Sequence, residues 1–302
     1  MPDPNIKVKN SEKYSVKIER DSIECMLSGI CETSTGEFLI IDYSNRRIKL
    51  LDQTYKVVAE CDLPSAPWSM CRIDSSLLAV AVANMQVHFI RQTNCQLIKD
   101  RTLTFKHNCY GIVFHEGNLY LTDHEALYHY SLDGRMVSKM FKDTSEGPTA
   151  CAVSPDGDRI YVAYNSFIYV KQPVKLVTLS RDGTVISLLT DPALTTTQYL
   201  SVILGLNVTD SGQVLVCGDS SNAIIQVDRD GRERLNAPNP LEHSTREDNH
   251  RKRIITGGGC KEDNHRKRII SGGGCKEDNH RKRIITGGGC KEDNLRRGIQ
   301  GG

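Results

Sequence analysis

From Gly36 to Asp52 the chain reads GEFLIIDYSNRRIKLLD. Phe38 and Ile40, then Ile48 and Leu50, recur at period two, with polar residues from Tyr43 to Arg46 between them, which predicts two antiparallel strands and a turn. A single hairpin is not stable alone in water. This one recurs, and the recurrence sets the fold.

A unit of four short strands can be followed five times. The first has MLSGICE (26–32), FLIID (38–42), RIKLLD (47–52) and VVAECDL (57–63). The second has WSMCRI (68–73), LLAVAV (77–82), QVHFIR (86–91) and QLIKDRTL (96–103). The third has CYGIVFH (109–115), NLYLTD (118–123), ALYHYSLDG (126–134) and MVSKMFKD (136–143). The fourth has TACAVSP (149–155), RIYVAY (159–164), KLVTLSRDG (175–183) and VISLLTD (185–191). The fifth has VILGLNVT (202–209), QVLVCGD (213–219), AIIQVDRDG (223–231) and a short RERL (232–235). Tyr14 to Ile18 alternates as a further short strand, expected to belong to a sixth unit.

Glycine or serine turns at positions 36, 76, 117, 157 and 212 mark the units, at a period of about 40 residues with insertions before the fifth. Asp133-Gly134, Asp182-Gly183 and Asp230-Gly231 fall at one equivalent place, where a tight turn needs positive φ. Four strands per unit at this period predict an all-β propeller.

Gly29-Ile30, Gly36, Asp42, Asn45, Arg47-Ile48 and Leu51-Asp52 carry a resemblance to the NHL repeat. Residues 14–235 resemble the propeller of invertebrate tripartite-motif-like proteins, related to RING and B-box ubiquitin ligases. The resemblance implies a six-bladed type, of which five four-stranded blades are recognisable, and a role in recruiting substrates or partners. No Cys-x-x-Cys spacing occurs in the sequence, so no RING or B-box zinc module is expected, nor a ligase activity of its own.

The flanks differ in kind. Residues 1–13 are expected to be a disordered leader and 236–246 a linker. Residues 247–302 repeat EDNHRKRIITGGGCK, a low-complexity tail too poor in apolar residues to offset its ordering entropy. Of the 39 Lys and Arg and 37 Asp and Glu in the chain, residues 246–302 hold 15 and 8, leaving 24 against 29 elsewhere. The body is therefore acidic and the tail basic, yet no aromatic residue interleaves the HRKR clusters as a stacking platform would require.

No stretch has the length of a membrane span, and the opening MPDPNIKVKN lacks a signal-type apolar core. Eleven cysteines, an odd number scattered through apolar strands, suit reduced thiols and a cytoplasmic setting. Cys31, Cys71 and Cys151 occupy near-equivalent inner positions, where small apolar side chains fit crowded blades. Asp42, Asn45 and Arg47 read as residues that fix the turn and pair along the blade.

The inner strands offer Ser28, Cys31, Ser69, Cys71, Gly111, Val113 and Val153, not the converging oxygens of a hard-cation site. A calcium-dependent lactonase-like hydrolase is thus the least favoured reading, and no cofactor, metal or catalytic residue is expected. Function is expected on the loops joining second to third strands and successive blades, because loops on a rigid scaffold are where binding is usually placed. That face collects Tyr43, Arg46, Trp68, His124, Asn165 and Asn222. The expected ligand is a protein, with RNA as the alternative and no membrane contact; the oligomeric state stays open. Trp68, the one tryptophan, is the candidate anchor or else a blade-packing residue.

Overall fold

A computed structural model describes residues 14–142, 147–164, 173–195, 205–217, 223–235 and 239–240. The expected leader (1–13) and tail (247–302) lie outside them.

Blade 1 consists of β1 (Leu27–Glu32), β2 (Phe38–Asp42), β3 (Arg47–Leu51) and β4 (Val57–Asp62). Blade 2 has β5 (Pro67–Arg72), β6 (Leu77–Val82), β7 (Gln86–Thr93) and β8 (Gln96–Thr104). Blade 3 has β9 (Gly111–His115), β10 (Asn118–Thr122), β11 (Ala126–Ser131) and β12 (Met136–Lys142). Blade 4 has β13 (Pro148–Val153), β14 (Arg159–Tyr164), β15 (Pro173–Ser180) and β16 (Val185–Thr195). Blade 5 has β17 (Gly205–Val208), β18 (Val214–Cys217), β19 (Ala223–Val227) and β20 (Asn239–Pro240). Each blade is an antiparallel meander, and the five stand side by side as a propeller.

The Asp-Gly positions are turns as expected. Gly134 and Gly183 take φ of 89° and 90°, which glycine adopts without a Cβ penalty. Asp133 Oδ1 accepts the Arg135 N–H and Asp182 Oδ1 the Thr184 N–H, so the aspartates close the turns.

The second strands are buried on both faces, which is why LLAVAV reads as a continuous apolar run. Alternate residues pack in opposite directions. Leu39, Ile41, Ile48 and Leu50 of blade 1 meet Met70, Leu78, Val80 and Ile90 of blade 2. Similar clusters join blade 2 to blade 3, blade 3 to blade 4 and blade 4 to blade 5. None of these clusters joins blade 5 to blade 1.

Two expectations are corrected at the ends. The fourth strand of blade 5 is Asn239–Pro240, paired with Ala223 and Ile224, while Arg232–Leu235 contributes only a bridge from Arg234 to Val227. Pro240 can take this place because an outermost strand tolerates a missing donor. Tyr14–Ile18 is not a strand. It lies as a strap over the face of blade 1 turned away from blade 2, where Val16 packs with Ile30, Phe38, Ile40, Leu51 and Tyr55. Covering apolar side chains, rather than backbone pairing, is what its alternation serves.

Beneath the strap, Lys49 has no exposed side-chain surface. Its Nζ donates to Asp21 Oδ2 at 2.5 Å, to Asp42 Oδ2 at 3.0 Å and to the Val16 carbonyl at 3.0 Å. Arg47 pairs with Asp21 at 3.0 Å and Asp62 at 2.7 Å, and Arg20 reaches Glu60 and Asp62. Asp42 also accepts the Met26 N–H at 3.1 Å and the Asn45 side-chain amide at 2.8 Å. Asp42, Asn45 and Arg47 thus hold the blade and its turn, as their residue types suggested. Among the described residues, Asp21, Cys25 and Asp42 form the one cluster with metal-ligand proximity, and the Lys49 ammonium contacts all three.

Candidate functional site

The second and third strands of a blade meet at the same end of the propeller as the entry to each innermost strand. At this end β-bulges set individual side chains. Pro67 pairs with Val82 and Ser69 with Ala81, so Trp68 is an extra residue on β5, and a bulge re-aims the side chain it carries. The same irregularity falls at Ser28 on β1 and Thr149 on β13. Ser28 Oγ donates to the Pro67 carbonyl at 2.7 Å, tying the entry of blade 2 to blade 1.

Tyr110 holds the corresponding place in blade 3. Its N–H donates to the Thr122 carbonyl at 2.8 Å, just before β9 pairs Gly111 with Thr122. Tyr43 and His124 follow equivalent aspartates. Asp42 organises the first turn, and Asp123 accepts the Glu125 and Ala126 N–H groups, each at 2.7 Å, in the second. Asp123 is fixed in turn by the Tyr128 hydroxyl at 2.9 Å.

These placements bring four rings into one row across three blades. Tyr43 and Trp68 have centroids 5.0 Å apart at 56°, and Trp68 and Tyr110 are 5.1 Å apart, edge to face. Tyr110 and His124 are 3.8 Å apart. All four side chains are half-buried, with one part packed and another facing solvent. Burial pushes His124 down to about 4, with Asp123 partly opposing, so at neutral pH the row ends in an uncharged imidazole. Burial, with help from Asp123, pushes the Tyr110 hydroxyl up.

Exposed groups flank the row. Arg46 stands in the β2–β3 turn with φ of 53°, its carbonyl accepting the Leu63 N–H at 2.8 Å. Asn84 and Met85, also at positive φ, are exposed in the β6–β7 turn, and Lys106 and Glu125 are exposed nearby in sequence to Tyr110 and His124. The structure therefore brings together Tyr43, Trp68 and His124 of the expected residues and sets Arg46 in the adjoining turn. Asn165 and Asn222 lie outside the described residues.

Tyr110 was missed, though a signal existed. Superposing WSMC of the second unit on YGIV of the third sets Tyr110 on Trp68. Cys31, Cys71 and Cys151 are each buried in an inter-blade cluster, with Cys71 close enough to Cys151 for the two thiols to interact. Burial pushes the Cys71 and Cys151 thiols up, which keeps them protonated and inert.

No protein-family model matches the chain, and no curated protein does. Solved structures do. Virginiamycin B lyase from Staphylococcus aureus is similar at a TM-score of 0.55 and 12% identity, over 83% of this chain and 79% of the lyase. A streptogramin B lyase gives 0.55 and 12%, over 76% and 74%. The Dos1 propeller gives 0.48 and 15%, over 70% and 57%. The two lyase structures show the fold: a β-propeller.

Proposed function

We propose that this chain is a non-catalytic recognition module, an NHL-type propeller related to tripartite-motif proteins, which recruits a protein partner in the cytoplasm through its loop face. The observation that carries the reading is the row Tyr43–Trp68–Tyr110–His124. Contiguous half-exposed aromatic rings, two on turns fixed by aspartates and two at the entries of innermost strands, give an amphipathic contact surface at low cost in side-chain entropy, and such residues dominate interface energetics. Met85 and Arg46 at its flanks are residue types enriched at interfaces. The NHL-like motif residues support the family, since Asp42, Asn45 and Arg47 serve the blade in the way a repeat signature requires.

RNA is the alternative ligand, because aromatic rings beside Arg46 and Lys106 could also stack bases. One experiment separates the two. The emission of Trp68, the only tryptophan, is titrated with single-stranded oligonucleotides, while chemical crosslinking of the full chain in cells is compared with Trp68→Ala and Tyr110→Ala. Protein crosslinks lost in both variants, with emission unmoved by RNA, support recruitment. Saturable quenching by RNA with a steep salt dependence would replace it with nucleic-acid binding.

A further inference from the structure

The cluster beneath the strap contains a lysine–cysteine pair that the loop face does not use. Lys49 Nζ is 3.3 Å from Cys25 Sγ. Three oxygens, from Asp21, Asp42 and Val16, surround the same nitrogen, so four partners compete for three N–H bonds. The Cys25 thiol donates to Asp21 Oδ2 at 3.3 Å. Lys49 is held without exposed surface, which fixes the nitrogen against the sulfur, whereas Cys25 is only half-buried and open to a small oxidant. Every described cysteine is free, and the Lys49 nitrogen is in direct contact with this thiol.

We propose that Lys49 and Cys25 are the two ends of an oxidative crosslink, a nitrogen–oxygen–sulfur bridge formed with dioxygen. The step balances as Lys–NH3+ plus Cys–SH plus O2 giving Lys–NH–O–S–Cys plus H2O plus H+. Nitrogen and sulfur each give up two electrons, and dioxygen takes all four. One oxygen atom enters the bridge and the other leaves as water. The released proton goes to Asp21 or Asp42, carboxylates already hydrogen-bonded to the reacting groups. Thiol reductants return the electrons and restore amine, thiol and water.

The bridge has a structural effect. Cys25 lies between the strap and β1, and Lys49 is on β3, so the link fastens the root of the strap to the blade it covers. An oxidising setting thereby locks the cap on blade 1, and a reducing one leaves it held by ion pairs and packing alone.

The test is the mass of the full chain after aeration, with and without reductant, followed by tryptic mapping. The expected product gains one oxygen and loses two hydrogens. The map joins the peptide Asp21–Arg46 to Ile48–Lys56, uncut after Lys49, and the joined species disappears with reductant and in Cys25→Ser and Lys49→Arg. The crosslinked protein melts at a higher temperature than the reduced one. An aerated chain with unchanged mass overturns the proposal, and so does oxidation at Cys25 with trypsin still cleaving after Lys49. Because Cys25→Ser leaves the loop face intact, these results are independent of partner binding.

Discussion

Lys49 Nζ stands 2.5 Å from Asp21 Oδ2, joining the strap to the third strand of blade 1 where neither group has exposed side-chain surface. Asp42 closes the other side at 3.0 Å. Burial by itself would lower Lys49, but the Asp21 hydrogen bond and the Asp42 charge hold it above its ordinary value. Removing one member of a buried ion cluster leaves the others uncompensated, a loss of ~3–5 kcal/mol. Lys49→Ala is therefore expected to lower the denaturation midpoint sharply, and Asp21→Asn less so because the amide still hydrogen-bonds. Chemical denaturation of the three proteins checks the order.

Acid should loosen the molecule in two stages. His124 is depressed to about 4 against an ordinary 6.5, so between those values the unfolded chain binds the proton and the folded chain does not. Stability falls as pH drops through that window, with His88 and His129, also lowered by burial, acting in the same direction. Asp21 follows: burial opposes ionisation, the Lys49 hydrogen bond and the Ile18 N–H outweigh it, and its pKa lies below the usual 3.8. Its contribution is complete above 3.8 and is lost as pH falls through the folded value. Melting temperature against pH shows both stages, and His124→Phe flattens the upper one.

At Gly111 the innermost strand of blade 3 packs directly against blade 4. A Cβ there would stand 2.6 Å from Thr122 Oγ1 and 3.0 Å from the Ala150 backbone. Gly111→Ala is expected to cost ~1–3 kcal/mol by forcing the inner strands apart. The same change at Gly117, where a Cβ meets nothing within 4 Å, carries only the strain of its φ of 82°. Thermal unfolding of the pair separates inter-blade crowding from turn strain.

Trp68→Ala removes ring contacts with Tyr43 and Tyr110, worth ~0.5–1.5 kcal/mol each beyond area burial. A modest drop in melting temperature with unchanged circular dichroism is expected. Were the ring chiefly a blade-packing element, the drop would match that of a core deletion such as Phe89→Ala.

The blades were legible because strand alternation and turn chemistry are local. Asp133-Gly134 and Asp182-Gly183 announce their turns within two residues, and the strands around them fall within a few positions of expectation. Tyr43, Trp68 and His124 could be gathered because propeller topology sends their loops to one end. What was lost depends on long-range meetings. Lys49 reads as a polar residue alternating outward on a strand, and nothing local shows that Asp21, 28 positions earlier, returns to cover it. Tyr14–Ile18 alternates like a strand because a strap over an apolar face needs the same spacing. Tyr110 was hidden by its glycine neighbour, which made the segment look like the start of a strand rather than a bulge equivalent.

The most direct test of the recognition surface replaces Arg46, Met85 or Ile98, in separate full-length proteins, with a photoreactive residue and crosslinks in cells. Arg46 and Met85 flank the aromatic row, while Ile98 is half exposed on the outermost strand of blade 2. The account predicts the same protein crosslinked from positions 46 and 85, not from 98, and lost when Trp68→Ala is added. Equal capture from all three positions, or capture that survives Trp68→Ala, would contradict it.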